Sequence, residues 1–369
     1  MKEQNQNDTS ANTFLYVGTY TGGDSEGIYI CRFDPATGKV EPIGVMVGVE
    51  NPSYLAIDAD RLRLYAVNEV SDFNGQPGGS VSAFAIKAAS GELSLINQQY
   101  SHGGAPCYLT LNDEGRYLYV VNYSGGNVIA FPIQEDGGVG EAADIASHSG
   151  RSLNPERQDY PHPHSIVLDP ANNYAFVPDL GIDKVMQYAI DRSSGRLSPS
   201  QPPWVDLKPG SGPRHMVFHP SGKYAYIINE LNSTISVCTY DPQQGALNVF
   251  QTISTVPKGY VGENTAAGIH LTPNGKVLFG SNRGHDSIAC YAVDQETGAL
   301  SVNDFVHTQG RTPRGFTVDP SGTYVLVANQ DSDSIVTFRV DEGNGTLVPT
   351  GQPVRIASPV CLKMVHLGR

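Results

Sequence analysis

Apolar residues in this chain come in short runs rather than helical stripes. One run opens on a proline position, a Pro/Gly turn follows, and a second run ends in Asn or Asp. Six such endings recur: Tyr65-Ala66-Val67-Asn68, Tyr119-Val120-Val121-Asn122, Phe176-Val177-Pro178-Asp179, Tyr226-Ile227-Ile228-Asn229, Phe279-Gly280-Ser281-Asn282 and Leu326-Val327-Ala328-Asn329. Runs of this length bounded by turn residues read as β-strands. The turns between them, such as His219-Pro220-Ser221-Gly222 and Asp319-Pro320-Ser321-Gly322, suit a tight reversal between antiparallel strands. A third run alternates apolar and polar residues, as in Ser80-Val81-Ser82-Ala83-Phe84-Ala85-Ile86, and a turn like Asp34-Pro35-Ala36-Thr37-Gly38 leads to a fourth. Four strands in a unit of roughly fifty residues make a propeller blade.

Six complete units start near Asn51, Ala105, Pro161, Gly212, Ala266 and Thr312. A seventh is split, with Ser358 to Val365 as its first strand and Phe14 to Thr19 as its second. Pairing these two ends closes a ring and removes free sheet edges. The expectation is an all-β, seven-bladed β-propeller of four-stranded blades, a single domain over 13–369 behind a polar, disordered tail at 1–12. At 369 residues the chain outgrows one ordinary core, and small cores stacked between blades meet that limit. The scattered cysteines Cys31, Cys107, Cys238, Cys290 and Cys361 lack metal-ligand spacing and read as small buried apolar residues.

Aligning the units isolates two columns. The one after the first-strand proline position reads Ser53, Cys107, His164, Arg214, Ala267, Arg314, Val360; the one after the second-strand Asn position reads Glu69, Tyr123, Leu180, Glu230, Arg283, Gln330, Tyr20. Within each complete unit the two are 16 residues apart, as in 230 − 214 and 283 − 267. This spacing predicts that each pair faces across the open end of a hairpin, with Arg214 and Glu230 as direct cross-strand neighbours. First strands line the axis of a propeller, so both columns ring one channel mouth. Small apolar residues would suffice for packing there. Instead the mouth gathers His164, Arg214, Glu230, Arg283, Arg314 and Glu69, with His162 and His215 next to column positions. Guanidinium forks suit a carboxylate or phosphate, and His and Glu are the usual proton carriers. The plain structural alternative is that these Arg–Glu pairs only tie blades together. Asn122, Asn229 and Asp179 recur with the repeat and read as turn-satisfying residues.

Charge narrows the partners. Lys and Arg number 24 against 37 Asp and Glu, a formal net charge of −13, which excludes nucleic acid and anionic membrane as partners. No apolar run approaches the ~18 residues of a membrane-spanning helix. The start of the chain lacks the apolar core of a signal peptide, so a cytoplasmic location is expected. An anionic ligand would be repelled at long range, leaving its capture to the local arginine cluster.

At these residues the chain resembles the lactonase family of seven-bladed propellers, which includes a bacterial 6-phosphogluconolactonase and a fungal carboxymuconate-cyclising enzyme. The resemblance runs from Phe14 onward. It is most specific at His162-Pro163-His164-Ser165, Gly212-Pro213-Arg214-His215-Met216-Val217-Phe218-His219-Pro220, Asn229-Glu230-Leu231-Asn232-Ser233 and Pro313-Arg314-Gly315-Phe316. The functional histidine, two arginines and glutamate of the cyclising enzyme match His164, Arg214, Arg283 and Glu230. That enzyme lacks the Pro-Arg-His stretch in full, which favours a sugar lactone here.

The resemblance implies hydrolysis of a small anionic sugar δ-lactone, 6-phosphogluconolactone first, without metal or other cofactor. Arg214, Arg283 and Arg314 would hold the anion and stabilise an oxyanion. Glu230 or His164 would activate water and the other would protonate the leaving oxygen, and ionisation of Glu230 beside Arg214 suits it to the role of base. Glu69, His162 and His215 complete the expected substrate site. Three rivals stand: a cycloisomerase using the same acid–base pair, a calcium-dependent gluconolactonase, for which the carboxylate–asparagine cage is missing, and a non-catalytic binding propeller.

Overall fold

Strict alternation in the second strands decides the architecture. In Tyr224–Asn229, Tyr224, Tyr226 and Ile228 enter one core while Ala225 and Ile227 enter another, because successive side chains leave a strand on opposite faces. A sheet apolar on both faces needs a sheet on each side, and a ring meets that need without end. The computed structural model describes residues 12–341 and 343–367. It contains seven four-stranded antiparallel sheets with one hydrophobic cluster between each neighbouring pair. All five cysteines are free and buried.

We number the blades by their inner strands: Tyr54–Asp58 (blade 1), Pro106–Leu111 (2), Val167–Leu168 (3), Pro213–Phe218 (4), Thr265–Leu271 (5), Pro313–Val318 (6) and Pro359–His366 (7). Blade 7 is the split one. Its inner strand pairs antiparallel with Thr13–Thr19, from Thr13↔His366 to Gly18↔Cys361, and all seven residues of Thr13–Thr19 are buried. Positions 1–11 of the expected tail lie outside the described residues, while the Asn12 carbonyl accepts the Leu367 N–H at 2.9 Å.

The Asp-x-x-x-Gly turns latch blade to blade. In the blade 5 turn, the Gly298 carbonyl accepts the Tyr226 hydroxyl of blade 4 at 3.0 Å. Gly298 has φ +73°, and a Cβ there would lie 2.4 Å from the Tyr224 ring. Gly245 lies equally close to Tyr174, and Gly195 to Tyr117.

The channel mouth departs from the expected pairing. In blade 4, Pro213 faces Asn229 and His215 faces Ile228, so Arg214 is the extra residue of a β-bulge and not a register partner of Glu230. The same slip falls at Cys107, Arg314 and Val360. Two residues upstream of each of these bulges the backbone turns left-handed, at Ala105 (φ 51°), Gly212 (62°), Thr312 (57°) and Ser358 (42°). The carbonyl of that residue accepts the N–H of the second-column residue, Glu230 to Gly212 at 2.7 Å and Tyr123 to Ala105 at 2.9 Å. Hence the 16-residue spacing marks a hairpin mouth whose first column is a bulge, the device that re-aims a side chain out of the sheet. In blade 3 the regular inner strand is only Val167–Leu168, with an isolated bridge from Pro163 to Asp179 at the mouth. His164 stays in place through its N–H to the Pro178 carbonyl at 2.9 Å.

Candidate active site

The bulges and second-strand ends of blades 3, 4 and 5 bring His164, Arg214, Glu230 and Arg283 together. Glu230 is the hub, with its side chain only 4% exposed. Its Oε2 lies 2.9 Å from Arg283 Nη2, 3.1 Å from Arg214 Nε and 3.9 Å from His164 Nε2. Arg214 Nε is not aligned for a hydrogen bond, so its contact with Glu230 is an ion pair held by distance alone, while Arg283 reaches Glu230 through Nη2. The guanidiniums are anchored by backbone: Arg214 Nη1 donates to the Ala267 carbonyl at 2.7 Å and Arg283 Nη2 to the Ala266 carbonyl at 3.2 Å.

Sequence reasoning missed a third guanidinium on Glu230. Arg157 Nη2 donates to Glu230 Oε1 at 2.6 Å and lies 3.3 Å from the Tyr123 hydroxyl. Arg157 belongs to the long crossing between Asp144–Ser147 and blade 3, which has no counterpart in the repeat. Its only signal was the excess length of that segment. Cys107 is a second omission: read as packing, it places Sγ 3.7 Å from His164 Nδ1 and 3.5 Å from the His164 carbonyl.

The other expected residues fall into two groups. Arg314 and Glu69 lie on a separate arc: the Arg314 guanidinium sits 5.1 Å over the Tyr20 ring, and the Tyr20 hydroxyl donates to Glu69 at 2.9 Å. His215 stacks deeper, its ring 5.4 Å from His164 and its Nε2 3.3 Å from Arg214 Nη1. His162 does not join the cluster. It stacks on Tyr123 at 4.3 Å, with Nδ1 3.0 Å from the Tyr123 carbonyl, and so props the ring that meets His164 edge-on at 5.3 Å. Asn122, Asn229 and Asp179 bind strand-end partners, Asn229 reaching Thr234 and Ser236 and Asp179 bonding the His162 and Gly181 N–H groups.

Below the mouth the axis holds a cavity of about 30 Å³ lined in part by Ser53, Cys107, Arg214 and Arg314, room for water but not for a sugar. The stacked rings of Tyr54 and Tyr108, 4.0 Å apart, lie further along the axis.

Electrostatics sorts the proton carriers. Burial would raise the pKa of Glu230, but the charges of Arg283, Arg214 and Arg157 overcome it and pull the carboxyl down to about 2. Burial, then repulsion from Arg214 and Arg314, holds His164 well below the ordinary imidazole value. Burial and the repulsion of Arg283 and Arg314 lower Arg214 to about 9, so it stays charged at neutral pH. The resting site is thus an ionised carboxylate, a neutral imidazole and charged guanidiniums. Among the described residues no group of three or more His, Cys, Asp and Glu side chains could hold a metal ion, and no helix is long and apolar enough to cross a membrane.

A seven-bladed ring with this cluster at an axial mouth defines a class of propeller enzymes. Within it, the chain belongs to the lactonase family of seven-bladed β-propellers, which it matches over residues 14–364, and this places it among the lactone hydrolases. It is 35% identical over 351 residues to the 6-phosphogluconolactonase of Bacillus subtilis, spanning 95% of this chain and 98% of that one. A 6-phosphogluconolactonase of Formosa agariphila is 32% identical over 306 residues, spanning 82% and 85%. The solved structure of a periplasmic gluconolactonase from Pseudomonas aeruginosa superposes with a TM-score of 0.91 at 36% identity, covering 96% of this chain and 99% of that one.

Proposed function

We propose that this chain hydrolyses a sugar δ-lactone bearing an anionic group, with 6-phosphogluconolactone the first candidate, and that it needs no metal. The observation that carries this reading is the charge balance of the mouth. Arg157, Arg214 and Arg283 face the single carboxylate of Glu230, so 3 − 1 leaves two positive charges unneutralised in a chain of net charge −13. Such an excess is costly to maintain in a buried site unless an anion or a developing oxyanion is to be met there. The printed functions of the Bacillus and Formosa relatives support the phosphorylated substrate. The Pseudomonas neighbour favours a second reading, an unphosphorylated gluconolactone.

In the mechanism, water adds to the lactone carbonyl carbon as His164 takes its proton. Neutral imidazole can accept a proton, and the ionised Glu230, 3.9 Å away, steadies the imidazolium that forms. Arg214 and Arg283 stabilise the oxyanion. The ring C–O bond then breaks, and His164 returns the proton to the leaving oxygen. The product acid ionises among the guanidiniums. Its carboxylate already paired with arginines, the cluster offers no hard-cation cage.

Rates above spontaneous opening, measured on 6-phosphogluconolactone and on glucono-δ-lactone with and without a chelator, test this. Acceleration of the phosphorylated lactone that survives chelation is expected. Complete loss restored by a divalent cation would overturn metal independence, and acceleration of neither lactone would overturn the hydrolase reading.

A further inference from the structure

Among the arginines at Glu230, Arg157 differs in kind. Arg214 and Arg283 come from blade strands, with side chains only 3% and 15% exposed; Arg157 comes from the crossing loop and its side chain is 39% exposed. Its backbone is nevertheless fixed. Asn154 caps the turn, its Oδ1 accepting the N–H groups of Glu156 and Arg157. Gln158, wholly buried, donates to the Leu180 carbonyl at 2.8 Å, and Ser152 donates to Asp183 at 2.6 Å. A fixed backbone carrying a half-exposed guanidinium is preorganised to exchange one anionic partner for another at small entropic cost.

Glu230 is correspondingly over-subscribed. Arg157 takes Oε1, while Arg283, Arg214 and His164 crowd Oε2. We propose that Arg157 is the specificity-determining residue of this site: the substrate's distal anion draws its guanidinium away from Glu230, and Glu230 is then free to support the protonated form of His164. This rests on the lactonase reading above and extends it, since an anionic group remote from the reacting carbonyl would both bind and switch on the proton carrier. Binding energy from a non-reacting part of the substrate would thus be turned into catalysis.

The groups facing the pair are known. Glu230 and Tyr123 face Arg157; Glu230, Cys107, His215 and Tyr123 face His164, with Arg214, Arg283 and Arg314 acting on it through charge. Removing Arg157 leaves Glu230 more negative beside His164, which favours the imidazolium.

Steady-state kinetics of wild type, Arg157→Ala and Arg157→Lys on 6-phosphogluconolactone and glucono-δ-lactone test the proposal. In Arg157→Ala the ratio of kcat/KM for the phosphorylated over the unphosphorylated lactone should fall at least about tenfold, the scale of one charge-assisted contact. Arg157→Lys should recover part of it. The acid limb of kcat/KM, which reports the free enzyme, should move to higher pH in Arg157→Ala. Equal losses on both lactones with an unmoved acid limb would overturn the proposal and leave the lactonase reading intact. A wild type that accelerates neither lactone would instead remove that reading, and this inference with it.

Discussion

Glu230 holds one negative charge among three guanidiniums, and the consequences are measurable residue by residue. Arg283→Ala should lower kcat/KM on an anionic lactone by roughly ten- to a hundredfold, the worth of a charge-assisted contact of about 1.5–3 kcal/mol. Arg192, on the rim and paired with Asp113 and Glu114, supplies the control: Arg192→Ala should leave the rate nearly unchanged. A comparable loss in both variants would refute anion binding at Arg283. Three imidazoles set the acid limit of stability. Burial lowers the pKa of His164, of His215 and, to about 3, of His270. Their folded values lie below the unfolded one, so the unfolded chain takes protons first. Stability should fall as pH drops below about 6.5, by up to about 1.4 kcal/mol per pH unit for each histidine. Glu230 adds to the loss nearer pH 4, because its depressed value favours the fold only while it is ionised. Urea midpoints between neutral and mildly acid pH measure this, and a flat profile would contradict it. His164, Arg214, Glu230 and Arg283 were legible in sequence because each occupies a repeating register position. Arg157 was not, for its loop has no sibling against which to align it.

At the scale of elements, the repeat predicted strands and turns well because alternation and Asp-x-x-x-Gly turn chemistry are local properties. The β-bulge at the mouth escaped, since its position accepts Cys107, Arg214, Arg314 and Val360 alike and leaves no residue-type signature. It coincides with a backbone event two residues upstream, the left-handed turn at Ala105, Gly212, Thr312 and Ser358. The inter-blade turn glycines make a sharper test. Gly298→Ala combines a positive φ with a Cβ driven onto Tyr224, and should cost about 1–3 kcal/mol. Gly259 also has a positive φ (+86°), but nothing lies within 4 Å of a Cβ there, so Gly259→Ala should cost less. Thermal melts of the two variants compare the terms directly. Equal shifts would mean that the ring contact contributes nothing.

The whole molecule depends on one join. Closure between Thr13–Thr19 and Pro359–His366 was readable from sequence, because the leftover runs at the two ends are the strands that six complete units lack. Deleting 358–369 would strip the inner strand of blade 7, unpair the edge of Thr13–Thr19, and take Val365 and Leu367 out of one flanking core and Leu362 out of the other. At about 1.5–3 kcal/mol for each large apolar side chain, that loss rivals the stability of a typical domain of about 5–15 kcal/mol. The truncated chain should lose its cooperative melt, and a melt at the parent temperature would refute closure as the keystone. The same join has a consequence during synthesis. Thr13–Thr19 leaves the ribosome early, and its partner follows 340 positions later (359 − 19). At ~5–20 residues per second that interval is roughly 20–70 s, during which an apolar strand presents an unpaired edge. Each nascent chain therefore passes through a period in which that strand is open to pairing with its neighbours on the polysome before its own partner exists.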